Sequence, residues 1–274
     1  GTALRAERER ETRSAAETRA PDLQRHIEEL KREEGTSAEQ ILTVTGSYDE
    51  ARWVTRGFRN SGALETESDS GIRTVLPDDD PTDEPWRFRR HDIERFPETE
   101  ASVLIAPLKV VARRHNIVDA AGNSALGAIY LMVRPVPPVG DVTSLLAYTN
   151  YGVTQTGAVN GVKERLDGIR RRAEARRQEF QANATYLSRM KPVVRHHLMA
   201  NLLVELLQLA GRARRGGTRA DVHLVDGAFW TGQLTWPDIV AELLDWWRQE
   251  GEYEQMKDFH GSLVYALEDL ADRR

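Results

Sequence analysis

Five short apolar runs, separated by segments of helical periodicity, constrain this chain more than any other feature. They are Gln40–Thr45, Ile72–Leu76, Ser102–Ala106, Gly127–Val133 and Asp221–Asp226. Most lack the strict polar alternation of a half-solvated strand, and continuous apolar runs of this length are strands covered on both faces. The strongest, Ser102-Val103-Leu104-Ile105-Ala106, stops at Pro107, a permitted first residue of a helix. After the first run, Ser47-Tyr48-Asp49-Glu50 has the chemistry of a capping box, and the helix it starts carries Ala51, Val54 and Phe58 on one face. Strand, turn and helix in alternation imply an α/β fold: a parallel sheet of about five strands with helices on both faces. Ligands of such sheets collect at the carboxyl ends of the strands. Those ends are Thr45-Gly46-Ser47, Ala106-Pro107, Arg134 and Asp226.

The rest of the chain is arranged around that core. Residues 1–20 are nearly all charged, Ala, Thr or Ser and read as a solvated helix or a disordered arm; Asp22–Glu34 follows as an amphipathic helix with Leu23, Ile27 and Leu30 in step. Pro77–Pro85 holds five acidic residues and reads as a solvated loop, or else as a metal or protein contact. A short helix is expected over Arg89–Phe96 and a helical turn over Leu108–Arg113. From Asp141 to Gly211 the chain is largely helical. Its middle part, with Arg165, Arg170, Arg171, Arg172, Arg176 and Arg177, is either an exposed helix of alternating charge or a basic face along a nucleic-acid backbone. Val193–Leu209 is apolar almost all round and expected to be buried. Thr235-Trp236-Pro237-Asp238 starts the first of two C-terminal helices, in which Trp246 and Trp247 must face different sides. The resulting division is a charged arm over 1–36, the first part of the core over 37–140, a basic helical insert over 141–192, the remainder of the core over 193–232, and C-terminal helices over 233–274.

Composition excludes several classes. Hydrophobic residues make up 40% and charged residues 30% of the 274, so the chain is globular rather than disordered. No apolar run reaches the roughly 18–20 residues of a membrane span, and no signal peptide is visible. The absence of cysteine excludes disulfides and thiolate metal sites, and fits a cytoplasmic protein. The net charge of -5 argues against a generally basic nucleic-acid binder, but Lys163–Arg219 holds 14 basic and 5 acidic residues. A local basic surface on an acidic protein suits phosphate binding. No metal site is expected: His196-His197, His115 and the Asp78–Asp80 run are the only material, and adjacent histidines on a helix point about 100° apart.

One unit stands out within the basic region: Gln208-Leu-Ala-Gly211-Arg212-Ala-Arg214-Arg215-Gly216-Gly217. Arg212 and Arg215, three residues apart, share one side of a helical turn. Arginine stays charged and its rigid fork matches phosphate oxygens. Gly211 removes bulk beside the fork, and Gly216-Gly217 lets the backbone turn into the next strand. Such a unit can act as an arginine finger across a cleft; the alternative is a basic helix end facing its own dipole.

Three pieces in order resemble the second, C-terminal RecA-like domain of superfamily 2 helicases, over roughly residues 38–230. Ile41-Leu-Thr-Val-Thr-Gly-Ser-Tyr-Asp-Glu-Ala is similar to motif IV. Val103-Leu-Ile-Ala-Pro-Leu with Ala112-Arg113-Arg114-His115-Asn116-Ile117 is similar to motif V, and Gln208–Arg215 to motif VI, usually Q-x-x-G-R-x-G-R. Gln208, Gly211, Arg212 and Arg215 match; Arg214 stands in place of a glycine, and so does Arg114. The resemblance implies that Arg212 and Arg215 approach the γ-phosphate of ATP, with Gln208, Gly211 and Asn116 at the nucleotide. It also implies that Thr45, Gly46, Ser47, Ala106, Pro107, Arg113, Arg114 and His115 meet a DNA or RNA backbone, with Arg170, Arg171 and Arg172 as further phosphate contacts of the insert. The Arg-x-His-Asn-Ile piece and Arg134-Pro135 resemble large bacterial helicases of antiviral defence islands, such as those accompanying prokaryotic Argonaute-like proteins, which implies a defence-system partner protein.

Half of the machinery of such an enzyme has no counterpart here. The sequence has no G-x-x-x-x-G-K-[ST] loop and no acidic motif after a strand to hold magnesium. ATP and Mg2+ would therefore be held mainly by a first RecA-like domain, in cis or in trans, and the chain alone should not hydrolyse ATP. The start at Gly1 favours a fragment of a larger helicase. The competing expectation is a degenerate RecA-like module that binds nucleic acid or a partner protein without catalysis.

Overall fold

The computed structural model describes residues 2–32, 38–64, 71–112, 115–132, 161–183 and 192–273. Two compact units are present. One comprises Gly1–Pro135 with Val204–Gly227; the other comprises Val136–Leu203 with Ala228–Arg274.

The first unit is built on β1 (Gln40–Thr45), β2 (Ile72–Leu76), β3 (Arg87–Arg89), β4 (Val103–Pro107), β5 (Leu126–Leu131) and β6 (Asp221–Leu224). All pairings are parallel, in the order β3-β2-β4-β1-β5-β6. All five expected strands are present. The sixth, β3, is a three-residue edge strand, Arg-Phe-Arg, where polar residues dominate and no apolar run announces it. The expected short helix after it is a 3-10 helix over Arg90–Glu98, with Ile93 and Phe96 fully buried.

Helix α1 (Thr2–Arg32) is continuous through the charged first twenty residues. Its buried side chains, Ala16, Ala20, Leu23, Ile27 and Leu30, recur every three or four residues. They form one cluster with Ala51, Val54 and Phe58 of α2 (Tyr48–Ser61) and with Ile41, Ile72, Val103, Ile105, Ala128 and Tyr130 of the sheet. Leu42, Val44, Leu104, Ala106, Ile129 and Leu131 alternate with these and are equally buried, so both faces of the sheet are covered.

The two helices meet at Gly57. A Cβ there would overlap the Arg13 carbonyl oxygen and lie 2.7 Å from the Ala16 Cβ. The buried polar pair Thr55 Oγ1 and Thr74 Oγ1, 2.6 Å apart, joins α2 to β2. A second turn of helix, α3 (Leu108–Val111), follows β4 directly.

The second unit contains α4 (Val162–Asn183), the first half of α5 (Pro192–Ala213), α6 (Trp236–Glu250) and α7 (Tyr253–Ala271). α6 starts at a capping box formed by Thr235 and Asp238 and ends at Gly251 in the left-handed conformation. Trp247 is buried, whereas Trp246 stacks on His196 with ring centroids 5.5 Å apart. Arg195 grips the Glu242 carboxylate with two forked bonds, Nε to Oε2 and Nη2 to Oε1, both 2.8 Å. Burial, opposed by Glu242 and aided by Arg195, holds the His196 pKa below its ordinary value. α5 departs from expectation in not being buried all round: Met199, Leu202, Leu203 and Leu209 are inside, but Val204 is 47% exposed.

Replacing Gly57 by alanine is expected to lower stability by about 1–3 kcal/mol, because overpacking at a helix crossing outweighs alanine's better helix propensity. Chemical denaturation of the Gly57→Ala variant measures this. An unchanged or raised midpoint would show that α1 and α2 do not meet as closely as described.

Candidate functional site

The strand order sets where a ligand can enter. The chain leaves β1 through α2 towards β2, on one side, and leaves β4 towards β5, on the other side of β1. The carboxyl ends of β1 and β4 therefore flank the topological switch point, the usual crevice of an open parallel sheet. Thr45 lies directly opposite Pro107 there, and Val44 opposite Ala106. The carboxyl ends of the strands in the Ile41–Ala51 and Val103–Leu108 segments thus lie side by side.

Their side chains do not form an open phosphate cradle. Thr45, Ala106 and Pro107 are buried, leaving Gly46 and Ser47 as the exposed residues of this group. Ser47 Oγ accepts from the Glu50 amide at 3.2 Å, capping α2. Glu50 is itself buried, and its Oε2 accepts from the Gly46 amide at 2.7 Å. The amide expected to meet a phosphate oxygen is thus occupied by a carboxylate of the next turn. Arg8 of α1 pairs with Glu50, and Arg5 with Asp49 at 2.7 Å. A shallow pocket lined by Arg5, Arg8, Ser47, Asp49, Glu50 and Trp53 lies at this corner.

The arginine unit lies at the other rim. α5 feeds β6, which runs parallel to β5, and the Arg215 carbonyl accepts from the Ser124 amide at 2.9 Å, two residues before β5 begins. With β1 spanning 6 residues, the two rims are separated by about 20 Å of strand. The arginines therefore face away from the carboxyl-end crevice where the fold alone would place a ligand.

Within this second group the contacts are specific. Arg212 Nη1 donates to the His115 carbonyl oxygen, joining the arginine unit to the segment after α3 across 97 residues. The neighbouring Asn116 is exposed, and its amide donates to Glu94 Oε1 at 2.9 Å. Gln208, Arg214 and Arg215 are exposed, Arg212 half-buried. Thr218 Oγ1 donates to the Ala213 carbonyl at 2.9 Å and closes the turn.

Gly216 has φ +79°, and a Cβ there would overlap the side-chain amide of Asn123. Gly211 differs: a Cβ there would meet nothing within 4 Å. Its lack of a side chain answers no need of this chain's own packing.

The remaining candidates divide simply. Arg170, Arg171 and Arg172 are exposed on α4; Arg170 and Arg171 line a shallow pocket with Gly161, Lys163, Glu164 and Asp167. On the same helix, hydrogen bonds from Arg177 and then Gln178 hold the exposed Glu174 carboxyl down to about 2. Arg113, Arg114 and Arg134 lie outside the described residues. In the acidic loop, Asp78, Asp79, Asp83 and Glu84 are solvated, while Asp80 pairs with Arg52.

A further cluster escaped sequence reasoning. His26 of α1 meets Asp221 and His223 of β6, with Tyr130 of β5 between them. Burial first, then Asp22, Glu29 and Asp221, push the Tyr130 hydroxyl up to about 12. Burial and the neighbouring His26 push the His223 pKa down. The only local signal was the Asp-x-His spacing, which puts both side chains on one face of a strand.

The two glycines of the arginine unit make opposite predictions. Gly216→Ala is expected to destabilise the chain by about 1–2 kcal/mol for the left-handed backbone alone, with the Asn123 overlap added to it. Gly211→Ala is expected to stabilise it by up to about 1 kcal/mol through helix propensity. Thermal unfolding of both variants checks the pair, and a loss at Gly211 as large as that at Gly216 would contradict the geometry.

Compared with protein-family models, with curated proteins and with solved structures, the chain matches none.

Proposed function

We propose that the chain acts as the second RecA-like half of an ATP-dependent nucleic-acid helicase or translocase. It supplies Arg215 as an arginine finger to a nucleotide and Mg2+ held by a first RecA-like domain, in cis or in trans. The observation that carries this reading is the bond from Arg212 to the His115 carbonyl. It unites two motif-like pieces far apart in sequence and leaves the two arginines in different settings. Arg212 is spent on its own backbone and positions the segment. Arg215 projects into solvent, and among the described residues no ion pair is recorded for it.

Gly211 is compatible with this reading, since a Cβ there would meet nothing within 4 Å and the chain's own packing does not require its absence. Nucleic acid would meet the exposed Gly46-Ser47 corner and the basic face of α4, the latter through Arg170, Arg171 and Arg172. A defence-system partner protein remains part of this reading through the resemblance alone.

One observation favours the second reading, a non-catalytic module that grips nucleic acid or a partner. Glu50 fills the position at the start of α2 where a phosphate oxygen would sit. Under that reading the phosphate contacts lie on α4 and the sheet is a scaffold.

The experiment is Arg215→Ala in the complete ATPase. Turnover is expected to fall by roughly 10³–10⁵-fold with nucleotide binding retained, the signature of a finger residue. Unchanged turnover would remove the catalytic reading, and nucleic-acid binding that survives in the same variant would leave the non-catalytic one.

A further inference from the structure

Strand β6 carries Asp221 and His223 two residues apart, so both side chains stand on the face that α1 covers. One ligating atom each of His26, Asp221 and His223 lies within 4.8 Å of the other two. The cluster is tightly held. Tyr130, opposite His223 in the β5–β6 register, stacks on it with ring centroids 4.4 Å apart. The His26 and His223 rings meet edge to face at 5.1 Å, and the Tyr130 hydroxyl is 2.7 Å from His26 Nδ1. His223 Nε2 is buried and, among the described residues, has no hydrogen-bond partner. Buried polar atoms without partners are uncommon and call for an explanation.

We propose that His26, Asp221 and His223 bind a divalent transition-metal ion, with Zn2+ the best match, and that the ion clips the first helix of the chain to the last strand of the sheet. Two imidazoles and one carboxylate are the donor set that suits zinc, copper, iron or nickel better than magnesium or calcium. Three protein ligands leave the fourth zinc position to water.

Metal–ligand bonds of about 2.0–2.2 Å place tetrahedral ligands about 3.4 Å apart. The three side chains must therefore close by roughly 1 Å, a movement within the reach of their terminal torsions. Asp221 must also leave Arg219. That pair is weakly held: the contacts are 3.3 Å and longer, and the Arg219 side chain is 84% exposed. Asp22 and Glu29 contribute further negative charge near the Tyr130 hydroxyl, opposed in part by Arg25, which pairs with Asp22. Tyr130 fixes the His26 ring, a positioning role that commonly tunes metal affinity. The inference stands apart from the ATPase reading, since none of the four residues belongs to the motif-like segments.

The test is calorimetric titration of the metal-depleted chain with zinc chloride, with thermal unfolding alongside. One equivalent is expected to bind and to raise the unfolding temperature. His26→Gln, Asp221→Asn and His223→Gln are each expected to weaken binding at least tenfold, and Tyr130→Phe about tenfold with the stoichiometry kept. His196→Gln, in the other unit, should bind as the parent does. Asp221→Asn lies at a half-exposed site and keeps the test open if a histidine variant fails to fold. No saturable binding at sub-millimolar zinc, or binding unaltered in the three ligand variants, would overturn the proposal.

Discussion

The bond from the Arg212 guanidinium to the His115 carbonyl ties the end of α5 to the connection between β4 and β5. The rest of the arginine unit depends on it. A few residues on, the Arg215 carbonyl takes the Ser124 amide, and Gly216 turns under Asn123 in a conformation only glycine adopts readily. Those contacts deliver β6 in register with β5, Tyr130 opposite His223. A planar fork suits a fixed carbonyl better than a flexible ammonium would. The same three or four contacts thus position the exposed Arg215, the open Gly211 and the His26–Asp221–His223 cluster.

The sheet has two unlike rims. At the carboxyl rim, where the strand order opens a crevice, the chain has filled its own helix N-terminus: Ser47 and Glu50 take the free amides, and α1 brings Arg8 and Arg5 to the acidic residues. Carboxylates near a helix N-terminus are favoured by its dipole, so this corner is stabilised without any ligand. At the amino rim Arg214 and Arg215 are exposed, while Arg212 is half-buried against the His115 carbonyl. An incoming phosphate would compete with Glu50 at the first rim but, among the described residues, with no acidic partner of Arg215 at the second. The two rims thus offer a phosphate different things: amides already filled at one, an exposed guanidinium at the other.

Much of this was legible beforehand. Runs such as Val103-Leu104-Ile105-Ala106 declare buried strands, because only a sheet covered on both faces tolerates such continuity. β3 was not legible, since an edge strand of Arg-Phe-Arg buries little. The extent of α1 was hidden too. Its contact face uses Ala16 and Ala20 among charged neighbours, and Pro21 interrupts a naive helical reading. Gly57 gave no sign of its function, because the need for a missing side chain exists only once α1 lies across it. At the candidate sites, the meeting of His115 with Arg212 was not legible, because the resemblance sets His115 against a nucleic-acid backbone and Arg212 against a phosphate. The filling of the Gly46 amide by Glu50 needed coordinates, as did the meeting of His26 with Asp221 and His223, because each joins residues whose spacing in sequence carries no period.

Arg212 holds the segment, whereas Arg215 only projects from it. Amide hydrogen exchange on the chain itself, comparing Arg212→Ala with Arg215→Ala, measures this directly. Loss of Arg212 should speed exchange in both 115–125 and 213–219 while the amides of β1 and β4 stay protected, and loss of Arg215 should change neither segment. Equal effects from the two variants, or undisturbed protection of 115–125 without Arg212, would contradict it.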